Sequence, residues 1–143
     1  MSEPDSHTHW RVVEEWLEFA RDDLRVMRAC CEPEPPVYRM AAYLCQQAAE
    51  KVLKGFHVKA NVRVRKTHDL VALADVVIAH FPDIAHLATQ TESWTDWNVA
   101  YRYPGESDRP PDPSRSELEA AATCIEQLAA VLWDLAPPGY GRP

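Results

Sequence analysis

The sequence predicts an all-α protein, an up-and-down bundle of four long helices plus a short one. Apolar residues recur at steps of three and four along most of the chain, which is the pattern of one buried helix face. The 143 residues include only 4 glycines, too few for the turns of an all-β domain. The 12 prolines gather between the periodic segments, where they interrupt helices.

Composition places the chain among ordinary globular proteins, with 26% charged and 46% hydrophobic residues. No apolar run approaches the ~20 residues of a membrane span, and the acidic start lacks the order of a signal peptide. We therefore expect a cytoplasmic protein with no membrane contact. The predicted organisation is a flexible segment 1–8, a bundle 9–136 and a flexible tail 137–143.

Cysteine spacing and glycine content argue against several kinds of site. No two of the four cysteines have the two-residue gap of a zinc or redox motif, so they are expected to be buried thiols. The scarcity of glycine argues against a glycine-rich phosphate loop or a dinucleotide fingerprint. We predict no metal and no cofactor.

The first helix has one apolar seam, with steps that alternate between three and four residues. Its members are Trp10, Val13, Leu17, Ala20, Leu24, Met27 and Cys31. Charged residues fill the intervening positions, as expected for a solvated face. The prolines at 33, 35 and 36 end this helix.

Similar patterns predict the remaining helices. The second spans 37–60 and is rich in small residues that allow close helix packing, and Thr67 is a candidate N-cap for the third. A fourth helix is predicted over 83–100, followed by a proline-rich loop over 101–113. Ser114, with Glu117 three residues later, forms a capping-box signature for the fifth.

Six cations without any acidic residue lie between positions 51 and 68. They are Lys51, Lys54, Lys59, Arg63, Arg65 and Lys66. On a chain of net charge −7, such a stretch suits a phosphate-facing patch. A solvated helix end, whose cations complement the helix dipole, explains the same residues. Glu50 with Lys51 or Lys54 is equally explained as a solvated pair on one helix.

Aromatic residues follow one face of the fourth helix, at Trp94, Trp97 and Tyr101. This stripe fits core or dimer packing better than base stacking. Tyr101, Arg102 and Tyr103 precede Pro104, and a guanidinium beside two phenols suits phosphate binding.

Several segments together resemble the HEPN family of helical domains. The string from Tyr43 to Gly55, YLCQQAAEKVLKG, is similar to the second-helix signature of that family. Thr67-His68-Asp69-Leu70 and then Tyr101-Arg102-Tyr103-Pro104 follow in the family's order. An Ala-Arg-Asp-Asp-Leu turn from Ala20 to Leu24 adds to the likeness, which spans residues 10–135.

The resemblance implies a homodimer that binds nucleotides or RNA and pairs with a minimal nucleotidyltransferase as toxin and antitoxin. It also implies an alternative, a metal-independent endoribonuclease whose Arg and His are separated by four to six intervening residues. Counting from Arg102, Ser107, Asp108 and Arg109 stand where that His is expected, so the catalytic position is not matched. Arg63 and His68 have the right gap but lie before the third helix.

The sequence thus favours a nucleotide- or RNA-binding dimer, with the ribonuclease and a purely structural dimerisation unit as alternatives. Arg102 and His68 are the weak catalytic candidates. The predicted dimer interface includes the fourth helix and the Tyr101–Pro104 turn. The predicted ligand-binding residues are Glu50, Lys51, Lys54, Arg63, Arg65, Lys66, His68, Tyr101, Arg102 and Tyr103.

Overall fold

Five α-helices make up the computed structural model of the chain, which describes residues 6–98, 104–105 and 111–140. The helices are α1 (Ser6–Cys30), α2 (Tyr38–Lys59), α3 (Leu70–His80), α4 (Ala85–Thr91) and α5 (Arg115–Asp134). Two 3₁₀ segments, Pro82–Ile84 and Glu92–Asn98, flank α4. The predicted all-α class is confirmed, because no strand occurs in the described residues.

The apolar seam predicted for α1 is confirmed along its length. All seven of its residues are buried, and Val13 and Met27 are completely inaccessible. The chain then turns through the proline segment, where the backbone N–H of Val37 donates to the carbonyl of Cys30. This turn brings α2 back along α1, and the two helices form the longest contact in the molecule.

Helix α2 is the centre of the fold, because α1, α3 and α5 all pack against it. Its small side chains allow the close approach that the sequence predicts. At Gly55, an added Cβ would lie 2.8 Å from Cδ2 of Leu132 on α5 and 3.5 Å from Cβ of Trp16 on α1. A glycine at this position therefore keeps three helices in contact.

The third helix begins two residues later than predicted. Its N-cap is Asp69, whose Oδ1 accepts hydrogen bonds from the backbone N–H groups of Val71 and Ala72 at 3.0 and 3.3 Å. Thr67, the predicted cap, instead accepts from the N–H of Asp69 through its hydroxyl at 3.1 Å. Both residue types can cap helices, and the carboxylate two positions later is the N-cap because it accepts from two backbone donors at once.

The prediction of one continuous helix over 83–100 is wrong within the described residues. Pro82 begins a 3₁₀ turn, α4 lasts for seven residues, and a second 3₁₀ segment follows. The hydroxyl of Thr91 donates to the carbonyl of Ala88 at 2.7 Å, and that of Ser93 donates to Gln90 at 3.2 Å. Such hydroxyls compete for the carbonyls that a regular helix uses, which explains the tighter segment. Residues 99 and 100 lie outside the described residues.

Two further predictions are confirmed. Ser114 caps α5, and its hydroxyl accepts from the N–H of Glu117 at 3.1 Å.

The four cysteines are free thiols, and three of them are buried. Burial raises the pKa of Cys45 to about 12 and that of Cys124 to about 11, so neither is a reactive thiolate at neutral pH.

The cap of α3 can be tested by substitution. Asp69→Ala should lower the free energy of unfolding by about 1 kcal/mol, because two backbone donors lose their acceptor. Asp69→Asn should retain most of the stability, since its amide oxygen can accept the same bonds. Urea unfolding measures both variants, with Thr67→Ala for comparison. A larger loss for Thr67→Ala than for Asp69→Ala would contradict this assignment of the cap.

Candidate functional site: a buried polar network beside a basic loop

Glu50 and Lys54 lie one turn apart on α2 and are both buried, with 6% and 7% of their surface exposed. Lys54 Nζ lies 2.6 Å from Glu50 Oε1. The same ammonium lies 5.8 Å from the ring centroid of Trp16, within cation–π range. The interpretation of this pair as a solvated surface pair is therefore wrong. A buried charge without an oppositely charged partner destabilises the folded protein, so Glu50 and Lys54 constrain the positions of each other and of the groups around them.

The second oxygen of Glu50 collects three further donors. Nδ1 of His68 lies 3.0 Å from Oε2, and the side-chain amides of Gln46 and Gln47 each donate to it at 3.4 Å. The Gln46 amide also donates to the backbone carbonyl of His68 at 3.3 Å. With Lys54, the carboxylate has four donors, enough to compensate for its burial. We call Gln46, Gln47, Glu50, Lys54 and His68 the α2 network.

His68 is the exposed member of the α2 network, with 60% of its side chain accessible. A carboxylate can only accept hydrogen bonds, so Nδ1 of His68 is protonated and donates a hydrogen bond to Glu50. In the neutral ring, Nε2 then has a free lone pair. A buried carboxylate that fixes the tautomer of an exposed imidazole is the arrangement that prepares a histidine for proton transfer.

Lys51 pairs with Asp23 of α1 at 2.5 Å, on the side of α2 that faces α1. Burial is the main reason that the pKa of Asp23 lies above its ordinary value of 3.8, and the lysine opposes this shift. Asp23 also experiences the negative charge of Glu50, so the ion pair and the α2 network interact electrostatically.

The remaining cations of the 51–68 stretch lie in two different places. Lys59 lies over the ring of Trp10 at 5.8 Å, near the other end of α2. Arg63, Arg65 and Lys66 are exposed in the connection between α2 and α3, and within the described residues they have no ion pair. We call residues 61–68 the basic loop.

The basic loop is anchored at both ends. Asn61 adopts a left-handed backbone, with φ of 58°, and the N–H of Val62 donates to the carbonyl of His57 at 2.9 Å. Val62 and Val64 are half-buried, while the basic side chains between and after them are exposed. At the other end, His68 is bound to the α2 network by both its ring and its carbonyl. The alternating pattern of this segment therefore presents its charges on the outer side of a fixed loop.

His57 of α2 is buried, with 1% of its surface exposed. Its Nε2 donates to the carbonyl of Leu73 at 2.9 Å, whereas Nδ1 has no hydrogen-bond partner among the residues that the structure describes. Burial lowers the pKa of His57 below 6.5, and the positive charges of Arg65, His80 and Lys54 add to the effect. The imidazole is therefore neutral in the folded protein at neutral pH and joins α2 to α3.

The structure brings together some of the predicted site residues and separates others. Glu50, Lys54 and His68 are in direct contact, and the basic loop continues from His68. Tyr101, Arg102 and Tyr103 lie outside the described residues, as do Ser107, Asp108 and Arg109. Gln46, Gln47 and Asp23 are site residues that the prediction omitted. The spacing of Gln46, Glu50 and Lys54 at successive helical turns was the available signal for the first.

The aromatic stripe is formed in part by Trp94 and Trp97. Their rings stack with centroids 5.8 Å apart and an interplanar angle of 16°. Trp94 is buried and Trp97 is half-buried, so packing accounts for this pair. Tyr101, the third predicted member, lies outside the described residues.

The fold and the site together describe a small all-α domain with a buried carboxylate network beside a basic loop. Residues 13–134 match the family model described as "HEPN domain". The chain therefore belongs to the HEPN family, as its motifs predicted.

The comparison with solved structures finds TT1696 from Thermus thermophilus, to which this chain is similar with 26% identity and a TM-score of 0.62. The match covers 86% of this chain and 97% of that one. No curated protein matches. In the described part of the chain, no helix is both long enough and apolar enough to cross a membrane.

The buried pair predicts a strong coupling between two substitutions. Glu50→Gln or Lys54→Met alone should each lower the free energy of unfolding by about 3 kcal/mol, because each leaves one buried charge unpaired. The double variant should lose less than the sum of the two, by about 1 kcal/mol or more. Asp22→Asn is the control, since its pair with Arg25 is exposed and should contribute under about 0.5 kcal/mol. Chemical unfolding that gives additive losses would show that the pair does not couple.

His57 predicts a loss of stability on mild acidification. As pH falls through 6.5, the unfolded chain takes up a proton at His57 while the folded chain does not, because its pKa is lowered. The free energy of unfolding should therefore decrease from pH 7 down to the lowered pKa. His57→Gln should flatten this part of the profile, whereas the exposed His86→Gln should leave it unchanged. Equal slopes in wild type and His57→Gln would rule out His57 as the cause.

Proposed function

We propose that this protein is a homodimeric module that binds single-stranded RNA through the basic loop and the adjoining α2 network. The observation that carries the proposal is the distribution of its cations. Lys51, Lys54 and Lys59 are engaged by protein groups, whereas Arg63, Arg65 and Lys66 stand exposed in one anchored loop. Cations without protein partners are the ones available for phosphates.

The overall charge makes this local arrangement necessary. A chain of net charge −7 repels a polyanion at long range, so binding depends on a concentrated positive surface. Two arginines offer planar, bidentate geometry for phosphate oxygens, and the lysine adds a point charge. His68, held by Glu50 at the end of the basic loop, adds an imidazole whose Nε2 can accept a hydrogen bond from the bound strand and whose ring can stack on a base.

The first experiment measures RNA affinity against salt. Replacing Arg63, Arg65 and Lys66 together by Gln should flatten the log–log salt dependence by about 2, since each phosphate contact on a single strand contributes roughly −0.7. The matched control replaces Arg11, Arg25 and Arg39, three exposed arginines on α1 and at the start of α2, with the same change of charge. Fluorescence anisotropy with a labelled oligonucleotide gives the slope. No binding at low salt, or equal slopes in both triple variants, contradicts the proposal.

The proposed dimer is supported by an apolar stripe on the outside of α1. Val12, Phe19 and Val26 are 41%, 56% and 52% exposed, at intervals of seven residues. Met40, at the start of α2, is also exposed at 37%. The stripe is symmetric about Phe19, so two antiparallel copies of α1 would place Phe19 on Phe19 and Val12 on Val26. Such self-complementarity suits the two-fold interface of a homodimer.

Two substitutions distinguish this interface from the one predicted at the fourth helix. Phe19→Glu should convert the dimer to monomer in sedimentation velocity, because it places a charge at the centre of the apolar stripe. Trp97→Glu tests the alternative, since Trp97 belongs to the segment after α4. A monomeric wild type contradicts the dimer, and dissociation by Trp97→Glu alone would place the interface at the segment after α4.

Pairing with a minimal nucleotidyltransferase is part of the same proposal and rests on family membership alone.

The orientation of His68 favours one second candidate, metal-independent cleavage of the bound RNA. Its Nε2 could take the proton of a ribose 2′-hydroxyl while that oxygen attacks the adjacent phosphorus and the bond to the 5′-oxygen breaks. The 5′-oxygen would take its proton from water, and a 2′,3′-cyclic phosphate would form. A denaturing gel of the RNA after incubation with chelator tests this candidate. Cleavage by the wild type that is lost in His68→Gln supports this candidate. RNA that stays intact with the wild type contradicts it and favours binding without cleavage.

A further inference from the structure

A groove separates α1 from α5 on the side of α2 that carries Val52. Its volume is about 290 Å³, close to the lower limit of small-molecule sites. The floor is apolar and nearly inaccessible, so the groove lies directly over the core. The floor residues are Leu17, Ala20, Leu24, Val52 and Ile125.

Side chains close the groove at both ends. Near the end of α1, Arg28 reaches across to Glu126 of α5 at 2.5 Å and to Glu119 at 3.7 Å. At the opposite end lies Trp133, whose ring packs against Trp10 with a centroid distance of 6.1 Å. An interval from residue 17 to 28 of a helix is roughly 16 Å long. A groove closed in this way fits a short, elongated molecule better than a continuous partner helix.

Charged residues line the α1 side of the groove. They are Glu18, Arg21, Arg25 and Arg28, so this side carries a net positive charge. Arg28 is engaged by the acidic residues of α5, and Arg25 is 3.9 Å from Asp22 in an exposed pair of little strength. Arg21 has no ion pair within the described residues. The α5 side presents Ala129 and Ala130, whose small side chains leave the space open.

We propose that this groove binds a small amphipathic anion, with an aromatic or aliphatic body over the apolar floor and an acidic group on Arg21 and Arg25. The floor supplies the burial, and the unpaired guanidinium supplies the complementary charge. The site is separate from the α2 network. Val52 is two residues from both Glu50 and Lys54, which places it about 200° around the helix from each of them. The proposal therefore does not depend on RNA binding.

The test uses 8-anilinonaphthalene-1-sulfonate, whose aromatic body and single sulfonate match the proposed class. The probe should bind saturably, with increased emission and quenching of tryptophan fluorescence. Arg21→Gln should weaken binding about 10-fold, the loss expected for one charged hydrogen bond. Arg11→Gln, at an exposed position of α1 that does not line the groove, is the charge-matched control and should leave affinity unchanged.

A second pair of measurements separates shape from charge. Ala129→Leu fills the groove and should abolish binding, and Ala130→Leu replaces it if the first variant fails to fold by circular dichroism. The neutral probe N-phenyl-1-naphthylamine should bind more weakly than the sulfonate and be insensitive to Arg21→Gln. Absence of saturable binding, or binding unaffected by both filling variants, overturns the site. A third outcome is that the filling variants abolish binding while Arg21→Gln has no effect. That outcome overturns the proposal of an anionic ligand, and the groove is then an apolar surface for a helix or a second copy.

Discussion

The buried carboxylate of Glu50 is the constraint on which the site depends. A charge on the central helix of a bundle is expensive to remove from water, and it is tolerated only when donors surround it. Lys54 satisfies one oxygen, and the amides of Gln46 and Gln47 with the ring of His68 satisfy the other. Three of these four donors lie within about one turn of Glu50 on α2, but His68 comes from a different segment. The carboxylate can therefore be satisfied fully only if the chain after α2 returns to this point.

That requirement explains the position of the basic loop. Its first residues are fixed by the end of α2, and its last residue is fixed by Glu50 and Gln46. Between these anchors, half-buried valines alternate with exposed basic residues, so the charges point outward without a sheet to support them. A flexible loop would lose conformational entropy on binding RNA, whereas an anchored one loses less.

Local patterns predicted most of the fold because the helices obey local rules. The seam of α1, the cap of α5 at Ser114 and the small residues of α2 depend on spacing within one segment, and each is confirmed. The exact start of α3 and the break after α4 were missed, because both depend on competition between neighbouring side chains for the same backbone groups.

The site was harder to predict, because tertiary contacts decide which of the neighbouring cations are paired with protein groups and which remain exposed. Lys51 is taken by Asp23 of α1, and Lys59 lies on Trp10. Neither partner is visible from the charge run itself. The contact between His68 and Glu50 joins residues 18 positions apart, a separation that gives no periodic signal in the sequence.

A titration of the ¹⁵N-labelled protein with single-stranded RNA tests the central claim most directly. RNA bound to the basic loop should change the chemical shifts of the backbone amides of 61–69. The side-chain amides of Gln46 and Gln47 should shift as well, because they belong to the α2 network that anchors the loop. Backbone amides of 125–133 on α5 should stay unchanged, since α5 packs on another side of α2. Saturable binding that leaves 61–69 unperturbed, or the absence of any shift at low salt, would contradict the account.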